Sequence, residues 1–209
     1  MELTKSGNRW SRATLGAALI VMSLILAGCS TTHPAPTQKP ADAATHTPTS
    51  QESASPYTVE DATAGFILKD VLSGYAVTFP QRPDVEPLNT NGTDQSAYFV
   101  SADLKPGEFA STGQVLHKTP NLQAQLMGYV QSMDPFGQVS ASSYTLGGLE
   151  ADRAQFTTGK NAPIPSSLLG LPSELVVAGD GNHFYQLIAI GGTSDQRQAF
   201  FDSFKRIDE

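Results

Sequence analysis

The sequence predicts an α+β domain, an antiparallel sheet with helices packed on it, and three observations carry that prediction. Candidate strands outnumber candidate helices. The clearest strand pair, Glu174–Ala178 and His183–Ile190, is joined by Gly179-Asp180-Gly181-Asn182, whose residue types adopt the positive φ angles of a tight antiparallel hairpin. Two amphipathic segments flank the strand groups at helical spacing.

Composition changes at Tyr57, and residues 57–209 have the length of one ordinary domain. Val59 to Ile67 reads as a short lead-in. In Tyr75-Ala76-Val77-Thr78-Phe79 the large residues alternate and share one face, giving the first clear strand. Pro80 ends it, and Gln81-Arg82-Pro83 continues as an extended turn. Ala97–Val100 and Gly113–His117 are the next strands, with Pro-Gly turn chemistry between them at Asp103-Leu104-Lys105-Pro106-Gly107.

The first helix follows, with Thr119 placed as its cap and Pro120 at its first position, where a missing N–H costs nothing. Leu122, Leu126, Tyr129, Val130 and Met133 form its apolar face, and Asp134-Pro135-Phe136-Gly137 stops it. Val139–Leu146 is a weaker strand, turned at Gly147-Gly148 into a second, Leu149–Phe156, which carries Arg153. The last element opens at Thr193 with Gln196 three residues on, a capping box. Phe200, Phe204 and Ile207 fall on its apolar face.

Ahead of the domain lie two segments of different character. Lys5, Arg9 and Arg12 precede a short apolar run, Leu15 to Leu26, which ends in Ala27-Gly28-Cys29; basic, apolar, then small is the order of a cleaved export signal. A membrane span takes ~20 apolar residues, and this run is shorter and interrupted by Ser23. Leu26-Ala27-Gly28-Cys29 resembles the lipobox of bacterial lipoproteins. That resemblance implies a signal peptide over residues 1–28, cleavage between Gly28 and Cys29, and a diacylglyceryl group on the Cys29 sulfur. Cys29 is the only cysteine, so no disulfide competes for it. Two acyl chains suffice for stable anchoring where one does not. Residues 29–56 then form a linker. From Ser30 on, Pro, Thr, Ser and Ala fill 20 of its 27 positions, with no large aliphatic or aromatic residue. Such a tract buries too little surface to offset the entropy of ordering, so it is read as disordered, with ends ~30 Å apart as a flexible coil. His33 and His46 sit in it as solubilising filler.

Removing residues 1–28 leaves 10 basic and 19 acidic residues, a net charge of −9. Such a surface repels nucleic acid, so no nucleic-acid partner is expected. The chain carries no Gly-x-Ser-x-Gly elbow. A hydrolase would need dispersed residues around His117 or His183, both read as surface or edge histidines. Metal ligation finds no support, since Asp180 beside His183 is too small a set for a site. No catalytic residue, metal or cofactor is expected. The unusual stretch is Asn161–Pro172, which puts Ile164, Leu168, Leu169 and Leu171 into a Pro-rich connection too long for a tight hairpin. Those four residues form either a binding patch or flap over an apolar pocket, or an ordered loop closing one edge of the core. The closed edge is the plainer reading, and any site is expected at this connection and the sheet face beneath it.

Gly74-Tyr75-Ala76-Val77-Thr78-Phe79-Pro80-Gln81-Arg82-Pro83 resembles the opening of PsbP-like domains, found among bacterial lipoproteins including mycobacterial Lpq-type ones. Gly148-Leu149-Glu150-Ala151-Asp152-Arg153, Phe184-Tyr185-Gln186-Leu187 and Phe200-Phe201-Asp202-Ser203-Phe204-Lys205 are similar to later parts of that domain. The resemblance implies an α/β/α sandwich with a central antiparallel sheet, serving as a non-enzymatic binding or assembly module. The functional expectation is a lipid-anchored protein on the extracytoplasmic side of the cell membrane, with the membrane itself and an envelope protein or apolar ligand as partners. The alternatives are a carrier of an apolar small molecule, such as a lipid or cell-wall precursor, and a dispersed hydrolase.

Overall fold

The computed structural model describes residues 56–88, 97–116, 120–135, 137 and 139–207. Cys29, the cleavage position at Gly28, the linker histidines, His117 and Thr119 all lie outside them. The described residues form eleven strands and two α-helices. In chain order these are β1 (Tyr57–Ala62), β2 (Gly65–Asp70), β3 (Tyr75–Phe79), β4 (Asp84–Leu88), β5 (Ala97–Leu104) and β6 (Gly107–Val115). Then come α1 (Leu122–Met133), β7 (Ser140–Leu146), β8 (Leu149–Thr157), β9 (Pro172–Gly179), β10 (His183–Gly191), α2 (Ser194–Asp202) and β11 (Lys205–Arg206).

The strands make two antiparallel sheets. The larger has seven strands in the order β4-β5-β6-β10-β9-β8-β7, and the smaller has four, β1-β2-β3-β11. The expected α/β/α sandwich is therefore wrong. The face of the large sheet away from α1 is covered mainly by a second sheet, with only the short α2 beside it. The error begins at Val59–Ile67, read as a lead-in: residues 57–70 form a hairpin turned at Thr63-Ala64-Gly65, whose second strand pairs with β3. Gly65 has φ +138°, and a Cβ there would meet the Phe79 carbonyl oxygen, so the turn admits glycine alone.

Each face of the large sheet has its own core. On one, α1 lays Leu126, Tyr129, Val130 and Met133 over Ala154, Leu175, Val177, Ile188 and Ile190. On the other, Tyr75, Val77 and Phe79 of β3 and Phe200, Phe201 and Phe204 cover Phe109, Val176, Tyr185 and Leu187. β10 lies between β6 and β9 and is buried along almost its whole length. A strand covered on both faces reads as a continuous apolar run, which is why Phe184–Ile190 is so conspicuous in the sequence.

Helix boundaries differ from expectation at two places. α1 is capped by Asn121, whose side chain accepts from the Ala124 N–H at 2.9 Å, and Pro120 precedes the cap. α2 does open with the Thr193–Gln196 capping box but stops at Asp202. The Ser203 hydroxyl donates to the Phe200 carbonyl and accepts from the Thr78 N–H, taking the chain out of the helix. Phe204 is buried beyond the helix, stacked on Tyr75 with ring centroids 5.7 Å apart. Lys205 and Arg206 then pair with β3.

Candidate functional site

The connection between β8 and β9 is fastened at Thr158, which is 2% exposed. Its hydroxyl donates to the Leu168 carbonyl and accepts from the Leu171 N–H, while its own N–H and C=O bond to Leu171 and Gly170. A single 3-10 turn, Ser166–Leu168, sits in the middle. Ile164 and Leu168 are buried in the core under α1, and Leu169 and Leu171 pack half-buried against the same cluster. The four aliphatic residues thus form a closed cover with their apolar faces turned inward.

Below the cover, the sheet floor is more polar than its surroundings. β6 and β10 pair so that Gln186 stands directly opposite Thr112, and Ile188 opposite Ala110. Opposed residues of an antiparallel pair share a face, so Thr112 and Gln186 point to the α1 side with Ala110 and Ile188. From α1, Gln125 and Tyr129 turn inward one helical turn apart. All four are at least nine-tenths buried. The Gln186 amide oxygen and nitrogen, Thr112 Oγ1, Gln125 Oε1 and the Tyr129 hydroxyl have no hydrogen-bond partner among the described residues. Burial, then the nearby charge of Glu108, pushes the Tyr129 phenol far above its ordinary range. A buried polar atom left unpaired costs ~1–3 kcal/mol, so these five make the α1 side of the sheet locally polar at a cost to stability. This layer was not foreseen. Its signal was present, since Gln186 interrupts an apolar run, whereas Thr112 lies in the part of β6 ahead of the expected strand Gly113–His117, because the strand starts six residues earlier, at Gly107.

The opposite face carries the other concentrations of charge. Asp180 accepts from the backbone N–H groups of Asn182 and His183, and the His183 ring lies 3.2 Å from its carboxylate. Burial raises the Asp180 carboxyl, but those hydrogen bonds outweigh it and hold the group below its ordinary value. His183 also stacks on Tyr185, with centroids 6.0 Å apart. No hydroxyl is bonded to His183 among the described residues. A carboxylate orients the imidazole, yet no nucleophile is joined to it. Further in, the Ser73 N–H donates to the fully buried Asp70, and the Tyr185 hydroxyl donates to the Ser73 carbonyl. Burial leaves the Asp70 carboxyl raised despite that bond.

Glu174, 3% exposed on β9, is held by Arg153 of β8 and by Arg197 of α2, the latter at 2.9 Å. Arg197 also donates to the carbonyls of Gly191 and Gly192, and Arg153 lies over the rings of Tyr144 and Phe201. This network joins α2 to the sheet. Gly147, Gly148, Leu149, Phe204, Lys205 and Arg206 line an open groove of about 490 Å³. Among the described residues no three His, Cys, Asp or Glu side chains gather in a metal-binding group, and no helix is long and apolar enough to cross a membrane.

No family model and no curated protein matches the chain. Its structure is similar to the solution structure of cyanobacterial PsbP (CyanoP) from Synechocystis sp. PCC 6803, at 10% identity over 77% of this chain and 98% of that one, with a TM-score of 0.43. A crystal structure from Bacteroides thetaiotaomicron VPI-5482 is similar at 14% identity over 65% of this chain, with a TM-score of 0.38. The match covers 46% of that Bacteroides chain, about half its length.

Proposed function

We propose that this chain is a lipoprotein of the cell envelope, held on the extracytoplasmic side of the membrane by a lipid on Cys29, whose folded part is a non-enzymatic binding or assembly module. The observation that carries the anchor is the order of residues at the amino end: three cations, a short apolar run, then Leu26-Ala27-Gly28-Cys29 with the sole cysteine of the chain. Its resemblance to Lpq-type lipoproteins belongs to the same proposal. The binding role draws support from the use made of the buried charges. Glu174, Arg153 and Arg197 are consumed in joining elements, and among the described residues His183 is tied to Asp180 with no hydroxyl bonded to it.

The test is metabolic labelling of intact cells with a tagged fatty acid. The chain takes up label and stays with the membrane, and Cys29→Ala abolishes both. Label retained in that variant, or a wild-type chain found unlabelled in the cytosol with residues 1–28 attached, overturns the anchor. Crosslinking in the same cells reads the partner, which is lost from the variant if the lipid brings the two together.

A second reading, a carrier of a small molecule with an apolar body and a polar end, is favoured by the floor beneath the cover. There, Thr112, Gln125, Tyr129 and Gln186 offer neutral hydrogen-bonding atoms among aliphatic walls. A carrier released from its membrane source retains extra mass under native mass spectrometry, and Gln186→Leu removes it. Wild-type protein at its bare acylated mass ends the carrier reading.

A further inference from the structure

Four strands stand at the edges of the two sheets, and three are guarded against pairing with another chain. β1 carries Glu60 and Asp61, β4 carries Asp84, Glu86 and Pro87, and β11 is only two residues long. Charges, proline and shortness are the usual means of blunting an edge. β7 has none of them. Its seven residues, Ser140-Ala141-Ser142-Ser143-Tyr144-Thr145-Leu146, are paired with β8 along one side, and the first four are exposed. They include no charge, proline or glycine, in a chain whose net charge is −7.

We propose that β7 pairs antiparallel with β7 of a second copy of this chain, joining the two seven-stranded sheets across a two-fold axis. Such an axis, perpendicular to the sheet, keeps the α1 side of both copies on the same face. Opposed residues must then come from the same face, which centres the pairing on one residue. Ser143 is the midpoint of the strand, and centring there uses its full length. Ser143 faces its own copy, Ser142 faces Tyr144, Ala141 faces Thr145, and Ser140 faces Leu146. No like charges oppose each other in any of these pairs. The same operation at β1 or β4 would bring carboxylates of two acidic copies together, which disfavours pairing. Among the described residues no strand pairs with the outer edge of β7, whose backbone groups a second copy satisfies. The inference goes beyond the proposed anchor and stands or falls independently of Cys29.

The test uses the full chain with Cys29→Ser, so that no other thiol is present, purified in a non-ionic detergent, with a single added cysteine. Under mild oxidation Ser143→Cys forms a disulfide-linked dimer, because opposed strand positions lie within the Cα separation a disulfide accepts. Glu86→Cys, at the guarded β4 edge, controls for chance meeting in one micelle and stays monomeric. Equilibrium sedimentation with detergent-matched density reads a protein mass near twice 22.1 kDa for the parent chain if residues 1–28 are retained. Ser143→Lys, which opposes two like charges at the axis, halves that mass while the circular dichroism spectrum is unchanged. Crosslinking of Ser143→Cys no greater than of Glu86→Cys overturns the proposal. So does a dimer that survives Ser143→Lys, a parent chain that sediments as a monomer, or capture by Ser143→Cys in cells of a different protein in place of its own copy.

Discussion

Thr158 concentrates in one side chain the fastening of a whole connection. Replacing its hydroxyl with a methyl, Thr158→Val, keeps the shape but leaves the Leu168 carbonyl and the Leu171 N–H without that partner. Stability falls by ~1–3 kcal/mol in urea titration, and cleavage by a broad-specificity protease moves to residues 161–171. Unchanged stability would mean the cover is held by its aliphatic residues alone. Glu174 is a different case, because the shift of its carboxyl has a sign that can be tested. Burial raises it, but the hydrogen bonds and charges of Arg197 and Arg153 outweigh burial and hold it below its ordinary 4.5. An acid with a lowered folded pKa contributes stability that is fully present above its unfolded value and is lost as pH falls through the folded one. Glu174→Gln costs ~3 kcal/mol at neutral pH, since two arginines lose their counter-charge. The gap between variant and parent narrows as pH falls below 4.5. A gap independent of pH would remove the ion pairs from the account.

Within the elements, the positions that fix turns separate backbone effects from packing effects. Gly147 and Gly148 both have positive φ, at +56° and +85°, in the β7–β8 turn. A Cβ on Gly148 would meet nothing, whereas one on Gly147 would come within 2.7 Å of the Phe204 ring. Gly148→Ala therefore costs ~1–2 kcal/mol from conformation alone, and Gly147→Ala costs more by displacing a buried aromatic. Thermal unfolding of the two variants reads the difference directly; equal losses would mean that Phe204 yields without cost. These elements also mark how far the sequence could be read. The β9–β10 hairpin, the capping box at Thr193, the strand Tyr75–Phe79 and the span of α1 were legible because each is set by residues within a few positions of one another. The ends of α1 and α2 were not. Asn121 displaced Thr119 as the cap because its own side chain reaches Ala124, and α2 ends early because Ser203 bonds to Thr78, 125 residues away.

At the scale of the whole molecule, protection should follow the layering. β10 has a strand on each side and a core on each face, whereas β1 is an edge of the small sheet with Thr58, Glu60 and Asp61 exposed. Amide exchange is expected to be slowest in β6, β9 and β10 and fastest in β1. Comparable exchange in β1 and β10 would mean that the two sheets open as one unit. The sequence by itself determined the amphipathic spans, the turn glycines and the net negative charge, because periodicity, turn chemistry and charge act over short stretches of chain. Only the tertiary structure decided that residues 57–70 add strands to a second sheet, that Ile164 and Leu168 face inward, and that Thr112 and Gln186 stand opposite each other on the α1 side of the large sheet. The reason is that strands choose partners by hydrogen bonding and burial across distant parts of the chain, and no local pattern says which edge a strand will join.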